Sequence, residues 1–161
     1  MRMLASLGVL LAAAASLPAA AADDRDALAG VKELKAVFDI REGDGKALLN
    51  RLTVIDETRA SLVAQGVKPR LVLTFRGPAT RLVQTDPAKM RPEDRAIAPV
   101  IATKLDELRD AEGVEGIELC AIAIRGQGTR AQDAIPAVKV VGNTWISQMA
   151  YQARGYAFIT P

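Results

Sequence analysis

The sequence contains no histidine and only one cysteine among its 161 residues. Without histidine, the commonest general base at neutral pH and the commonest zinc ligand are both missing. A Ser-His-Asp hydrolase and a histidine-bound metal enzyme are therefore excluded on composition. A lone cysteine can neither close an internal disulfide nor build a multi-cysteine metal site. Aromatic residues make up only 4% of the chain, so the core must come from Val, Ile, Leu and Ala. Neither sign of charge is in real excess, with 21 basic against 19 acidic residues and a net charge of +2. That balance leaves no electrostatic footprint for nucleic acid or an anionic membrane as the natural partner. There is no internal repeat and no low-complexity linker. Gly43-Asp44-Gly45-Lys46 resembles a fragment of a phosphate loop, but the glycine spacing and the Ser or Thr after the lysine are lacking. A capped helix start is the better reading, and no cofactor or metal is expected.

The one long apolar run stands at the N-terminus. Arg2 precedes a Leu- and Ala-rich stretch over residues 4–17, Pro18 breaks it, and Ala20-Ala21-Ala22 supplies small residues before the polar Asp23, Asp24 and Arg25. The run is shorter than the roughly 20 apolar residues that span a bilayer. It reads as a secretory signal peptide over 1–22, with a single domain over 23–161 and a periplasmic location after cleavage. No membrane contact is expected once the signal is removed.

Beyond residue 22, strand and helix patterns alternate. Strands are expected at 35–40, 71–75, 114–119, 137–141 and 156–159. Asp44 is a natural N-cap for a helix whose inner face carries Leu48, Leu52, Ile55 and Leu62, and Gly66 ends it. A short helical segment fits 79–83. Pro92 stands just inside a long helix buried through Ile97, Val100, Ile101, Leu105 and Leu108, closed by Gly113. A last helix has Ile146, Met149, Ala150 and Ala153 as its inner face, ended by Gly155. The alternation predicts an α/β fold of three layers, with a mostly parallel five-stranded sheet and helices on both faces. Ligands of such sheets sit beyond the C-terminal strand ends. The loops that matter are then 41–44, 75–78, 120–128 and 142–145.

Cys120 is the one residue singled out for chemistry. Where a strand gives way to a helical turn, its sulfur can face free N–H groups that favour the thiolate, with Arg125 five residues on to add positive charge. A thiolate there can carry a persulfide or attack a disulfide. The same residues also fit a continuous strand in which Cys120 is a small buried hydrophobe, and the pattern leaves both open. Arg76 and Arg81 flank Gly77-Pro78 and fit either anion contacts or solvated surface. Asn143 and Trp145 open the last helix, with Trp145 off its inner stripe, as at a site rim, an interface or an ordinary half-buried position. Asp39, Glu42, Asp44 and Glu118 lie near strand ends, and no pair has a spacing that demands a catalytic or metal role.

Taken together, 72–77 (VLTFRG), 120–126 (CAIAIRG), Ala134-Ile135-Pro136, 138–141 (VKVV) and 151–159 (YQARGYAFI) resemble the DsrE/DsrF-like family over essentially the whole chain after residue 22. The resemblance implies a compact parallel-sheet domain that assembles into homo- or hetero-oligomers, often trimeric or hexameric. It also implies a cysteine that passes sulfane sulfur as a persulfide. Cys120 matches that cysteine by its place before the Arg-Gly turn, with Arg76, Gly77, Arg125, Asn143 and Trp145 as binding neighbours. A small sulfur compound or a thiol partner protein would be the other participant. The relay members of the family are cytoplasmic, whereas the N-terminal pattern of this chain predicts export. A non-catalytic oligomeric module, binding a small ligand beside an inert buried cysteine, is the alternative.

Overall fold

The computed structural model describes residues 23–161. The signal peptide expected over 1–22 lies outside the described residues. Five strands, β1 (Glu33–Ile40), β2 (Lys68–Phe75), β3 (Val114–Cys120), β4 (Lys139–Val141) and β5 (Ala157–Ile159), form one sheet in the order β4-β3-β2-β1-β5. Every pairing is parallel. The α/β fold class expected from the sequence is the observed one, with the sheet wholly rather than mostly parallel. Four helices connect the strands: α1 (Gly45–Ala64), α2 (Ala98–Asp110), α3 (Ala121–Gly126) and α4 (Thr144–Ala153).

Alternation along each strand sorts side chains to two unlike faces. Ala36, Phe38, Ile40, Leu71, Leu73, Phe75, Ile117 and Leu119 join Leu48, Leu52 and Ile55 of α1 and Ile101, Leu105 and Leu108 of α2 in the main core. The opposite face holds a much smaller apolar cluster of Val37, Val72 and Tyr156, with Tyr151 of α4 against it. The rest of that face is polar.

This polarity corrects the expected orientation of α4. Its buried residues are Thr144 and Gln148, while Ile146 and Met149, expected inside, are each 62% exposed, and Ala150 and Ala153 are also exposed. The helix turns its polar stripe inward because the strands beneath it present hydrogen-bonding groups. Gln148 Nε2 donates to Asp39 Oδ1 at 2.9 Å and to Thr74 Oγ1 at 2.8 Å, and the Tyr151 hydroxyl donates to Glu118 at 3.1 Å. A buried carboxylate or hydroxyl without such partners would cost more than a buried Ile or Met returns.

The expected long helix from Pro92 is also divided. Residues Pro92–Ile97 form a 3₁₀ segment, and the α-helix begins only at Ala98. Pro99 has no N–H to continue an i→i−4 ladder, so Ala98 closes the tighter bond to the Arg95 carbonyl instead. Val100 consequently faces solvent at 49% exposure, and Ala98 takes its place in the buried stripe. The segment around Ala79 is a 3₁₀ turn, Gly77–Val83.

The start of α1 is fixed from two sides. Asp44 accepts from the Ala47 N–H at 2.9 Å, and the buried Asp94 accepts from the Gly45 N–H at 2.8 Å. A Cβ on Gly45 would lie 2.6 Å from Ile97 Cγ2 and 2.9 Å from Asp94 Oδ1, so only glycine fits. The Arg91 guanidinium, donating to Asp94 at 2.6 Å, is the main reason that this carboxyl sits below the usual range; burial opposes it and the Gly45 N–H assists. Asp94→Ala is expected to cost about 2 kcal/mol, the size of a lost charged hydrogen bond with a buried N–H left unpaired. A depressed carboxyl gives stability that is complete above its unfolded value of about 4 and is lost as pH falls through the folded value. Urea midpoints of wild type and variant should therefore differ at pH 7 and converge in strong acid.

Candidate functional site: a thiol cleft at the C-terminal ends of β2 and β3

Cys120 is the last residue of β3 and the N-cap of α3. The chain passes from strand to helix with no intervening loop, which aims the first-turn N–H groups of α3 back toward the cysteine. After β4, Asn143 caps α4 by accepting from the Trp145 N–H at 2.9 Å, and this brings Thr144 over the same sulfur. Arg76 and Gly77 enter from the end of β2. Gly77 has φ +56°, a left-handed conformation that lets the chain turn sharply before Pro78.

These pieces enclose a cleft of about 180 Å³ lined by Arg76, Gly77, Cys120, Ile122, Ala123, Asn143, Thr144 and Trp145. Five of the six residues singled out in the sequence thus meet in one place. Arg125 does not line the cleft and is exposed in the last turn of α3. Ile122, Ala123 and Thr144 were not singled out. Ala123 and Ile122 followed from the strand-to-helix junction at Cys120, but nothing in the local pattern marks Thr144 as more than a helix-start residue.

Cys120 forms the floor of the cleft at 5% exposure. Burial by itself pushes the thiol up. The backbone N–H groups of Thr144, Ala123 and Ile122, together with the Thr144 hydroxyl, outweigh burial and hold Cys120 below the ordinary cysteine value. Thr144 is fully buried, and its Oγ1 has no hydrogen-bond partner of full geometry among the described residues.

The side wall is an ion pair. Arg76 Nε and a terminal nitrogen each donate at 2.7 Å to the two oxygens of Asp39, whose side chain is 1% exposed. The guanidinium also lies 5.4 Å from the Trp145 ring centroid, within reach of a cation–π contact. Asp39 was given no role from the sequence; here it fixes the plane of Arg76 and, through Gln148, ties α4 to β1 and β2. Trp145 stands at the rim, 57% exposed, beside Ile122 at 49%. Among the described residues, no three His, Cys, Asp or Glu side chains cluster to hold a metal. The site is a small, largely apolar cleft with the Cys120 sulfur at its base.

A parallel α/β domain with a thiol cleft beyond its strand ends is the class that fold and site define. No family model matches the chain. An uncharacterized protein of Aquifex aeolicus (strain VF5) is 32% identical over 127 residues, covering 78% of this chain and 55% of that protein. The chain therefore spans about half the length of this curated relative. Among solved structures, MTH1491, a protein of unknown function from Methanobacterium thermoautotrophicum, is similar with a TM-score of 0.60 at 21% identity, covering 81% of this chain and 99% of that one. At this level of identity the likeness concerns the fold.

Proposed function

We propose that this protein is a periplasmic, DsrE/DsrF-like thiol protein that carries sulfane sulfur as a persulfide on Cys120. The observation that supports this most directly is the set of donors around that sulfur, which favours a thiolate at the floor of a cleft of about 180 Å³. In the loading step the Cys120 thiolate attacks the outer sulfur of a donor persulfide. A new S–S bond forms on Cys120, the donor's S–S bond breaks, and the donor leaves as its thiolate with no net oxidation or reduction. Unloading is the same displacement by an acceptor thiolate on the outer sulfur of the Cys120 persulfide. The N–H groups of Ile122, Ala123 and Thr144 stabilise Cys120 first as nucleophile and then as leaving group. Arg76, held flat by Asp39, and Trp145 border the path of the incoming sulfur. The periplasmic part of the proposal rests on the segment 1–22.

Assembly belongs to the same proposal. Trp145, Ile146 and Met149 form an exposed apolar stripe on α4, of the kind that contacts between copies cover. A trimer or hexamer is expected by sedimentation, and a strict monomer would argue against this part.

The test is intact-mass spectrometry of protein purified from the periplasm, before and after exposure to inorganic polysulfide. Wild type should lack residues 1–22 and gain the mass of one sulfur atom, reversibly by a thiol reductant. Cys120→Ser should gain none. Equal sulfur uptake by the variant, or none by wild type, would end the persulfide reading.

A further inference from the structure

The Cys120 cleft holds a single formal charge besides the sulfur. Among the described residues that line it, Arg76 is the only charged one. That charge is already matched: Asp39, with its side chain 1% exposed, accepts from two guanidinium nitrogens at 2.7 Å each. The Trp145 ring lies against the same guanidinium, 5.4 Å from centroid to carbon. No second cation lines the cleft. Arg125 stands outside it, and Arg41, 58% exposed, approaches Asp39 at 3.6 Å without forming part of the wall. The polar groups at the floor are committed as well. The N–H groups of Ile122, Ala123 and Thr144 are among those that lower Cys120, and the Asn143 side-chain oxygen is spent on the Trp145 N–H.

The rest of the wall is apolar. Ile122 and Trp145 stand at the rim, each about half exposed, and Ala123 and Gly77 add no polar side chain. Large apolar side chains held half in water gain free energy when an alkyl group covers them. A carboxylate or sulfonate in the same place would lose hydration without gaining a counter-ion. It would also face a thiolate of its own sign. At about 180 Å³ the cleft is smaller than the sites of drug-sized ligands, which run to about 300–1,000 Å³. It suits a group of a few carbon atoms.

Resting on the persulfide reading above, we propose that the sulfur donor taken by Cys120 is a small alkyl persulfide whose organic group carries no charge, selected by packing of that group against Trp145 and Ile122. The Cys120 thiolate attacks the outer sulfur of the donor, and the donor's S–S bond breaks. The outer sulfur passes to Cys120 with its proton, and the alkyl group leaves as a thiolate. The selection is one of rate. Inorganic polysulfide in excess still loads the cysteine, whereas an organic donor is sorted by the group it carries.

The test compares propyl persulfide with 2-carboxyethyl persulfide, which differ only in that a carboxylate replaces the terminal methyl group. Sulfur transfer to the purified protein is followed by intact mass. Each rate is divided by that of the same donor with 2-mercaptoethanol, which removes intrinsic reactivity. The propyl donor should be favoured by about tenfold, the factor that burying about two methylene groups supplies. Trp145→Ala and, separately, Ile122→Ala should each bring that preference toward unity. A preference near one, or one for the carboxylate donor, overturns the inference and leaves the persulfide reading standing. A preference that both variants retain in full overturns it too, since the walls would then not be selecting. No transfer from either donor overturns the persulfide reading and the inference with it.

Discussion

Asp39→Ala is expected to destabilise the protein by about 3–5 kcal/mol, the range for removing one partner of a buried ion pair. Asp39 is the common acceptor of the site: Arg76 donates to it twice, and Gln148 donates once from the opposite layer. Alanine there leaves a guanidinium that is only 21% exposed without a counter-charge and Gln148 with one lost partner. No apolar side chain is near enough in kind to collapse onto the gap, because Thr74 and the polar stripe of α4 surround it. Asp39→Asn keeps one hydrogen-bond acceptor and should cost less, about 2 kcal/mol. Urea unfolding is the measurement, with the midpoint lowered and the slope unchanged if only the native state is affected. A loss below about 1 kcal/mol for the alanine variant, the ceiling for exposed pairs, would mean that Arg76 swings into solvent. The wall of the Cys120 slot would then be no fixed feature.

The same network explains what the sequence made legible and what it hid. The strands of the main core read clearly because Leu71, Leu73, Phe75, Ile117 and Leu119 are apolar residues facing apolar helices. The Asp44 cap and the Gly66 terminus of α1 read clearly because they are local, set by the chain within a few residues. The inner face of α4 misled for a non-local reason. Its apolar stripe is the more obvious of its two faces, and only Asp39, Thr74 and Glu118, brought together from three strands, turn Gln148 and Tyr151 inward. Pattern reading assumes that apolar means inside, and here the outside of the helix is the apolar one. The site was legible to the extent that it lies at strand ends: Cys120 closes β3, Arg76, Gly77, Asn143 and Trp145 follow β2 or β4, and parallel topology gathers such positions. Arg125 was drawn in by sequence proximity alone, and one and a half helical turns carry it away from the sulfur that it follows.

Thr144→Val bears most directly on the chemistry, since it removes the one side-chain hydroxyl among the groups that lower Cys120 and leaves the Thr144 backbone N–H in place. Wild-type Cys120 should react with iodoacetamide along a pH curve whose midpoint lies below that of a free cysteine, because the donors outweigh the upward push of burial. The thiolate is the reacting species, so the rate rises with pH through the midpoint and is flat above it. A hydrogen bond to a charged group contributes about 1.5–3 kcal/mol, and 1.36 kcal/mol corresponds to a tenfold change in ionisation. The variant should therefore hold about tenfold less thiolate at neutral pH, with the curve displaced upward and the plateau rate at high pH little altered. Valine matches threonine in shape, and the hydroxyl it replaces has no hydrogen-bond partner of full geometry among the described residues, so the fold should be kept and circular dichroism should confirm it. Displacement of the curve with an unchanged plateau is a signature of thiolate stabilisation; a plateau that falls while the midpoint stays would instead indicate a narrowed slot. An unmoved curve would show that the backbone N–H groups of Ile122, Ala123 and Thr144 hold the thiolate unaided, and that the buried hydroxyl of Thr144 has no part in the site.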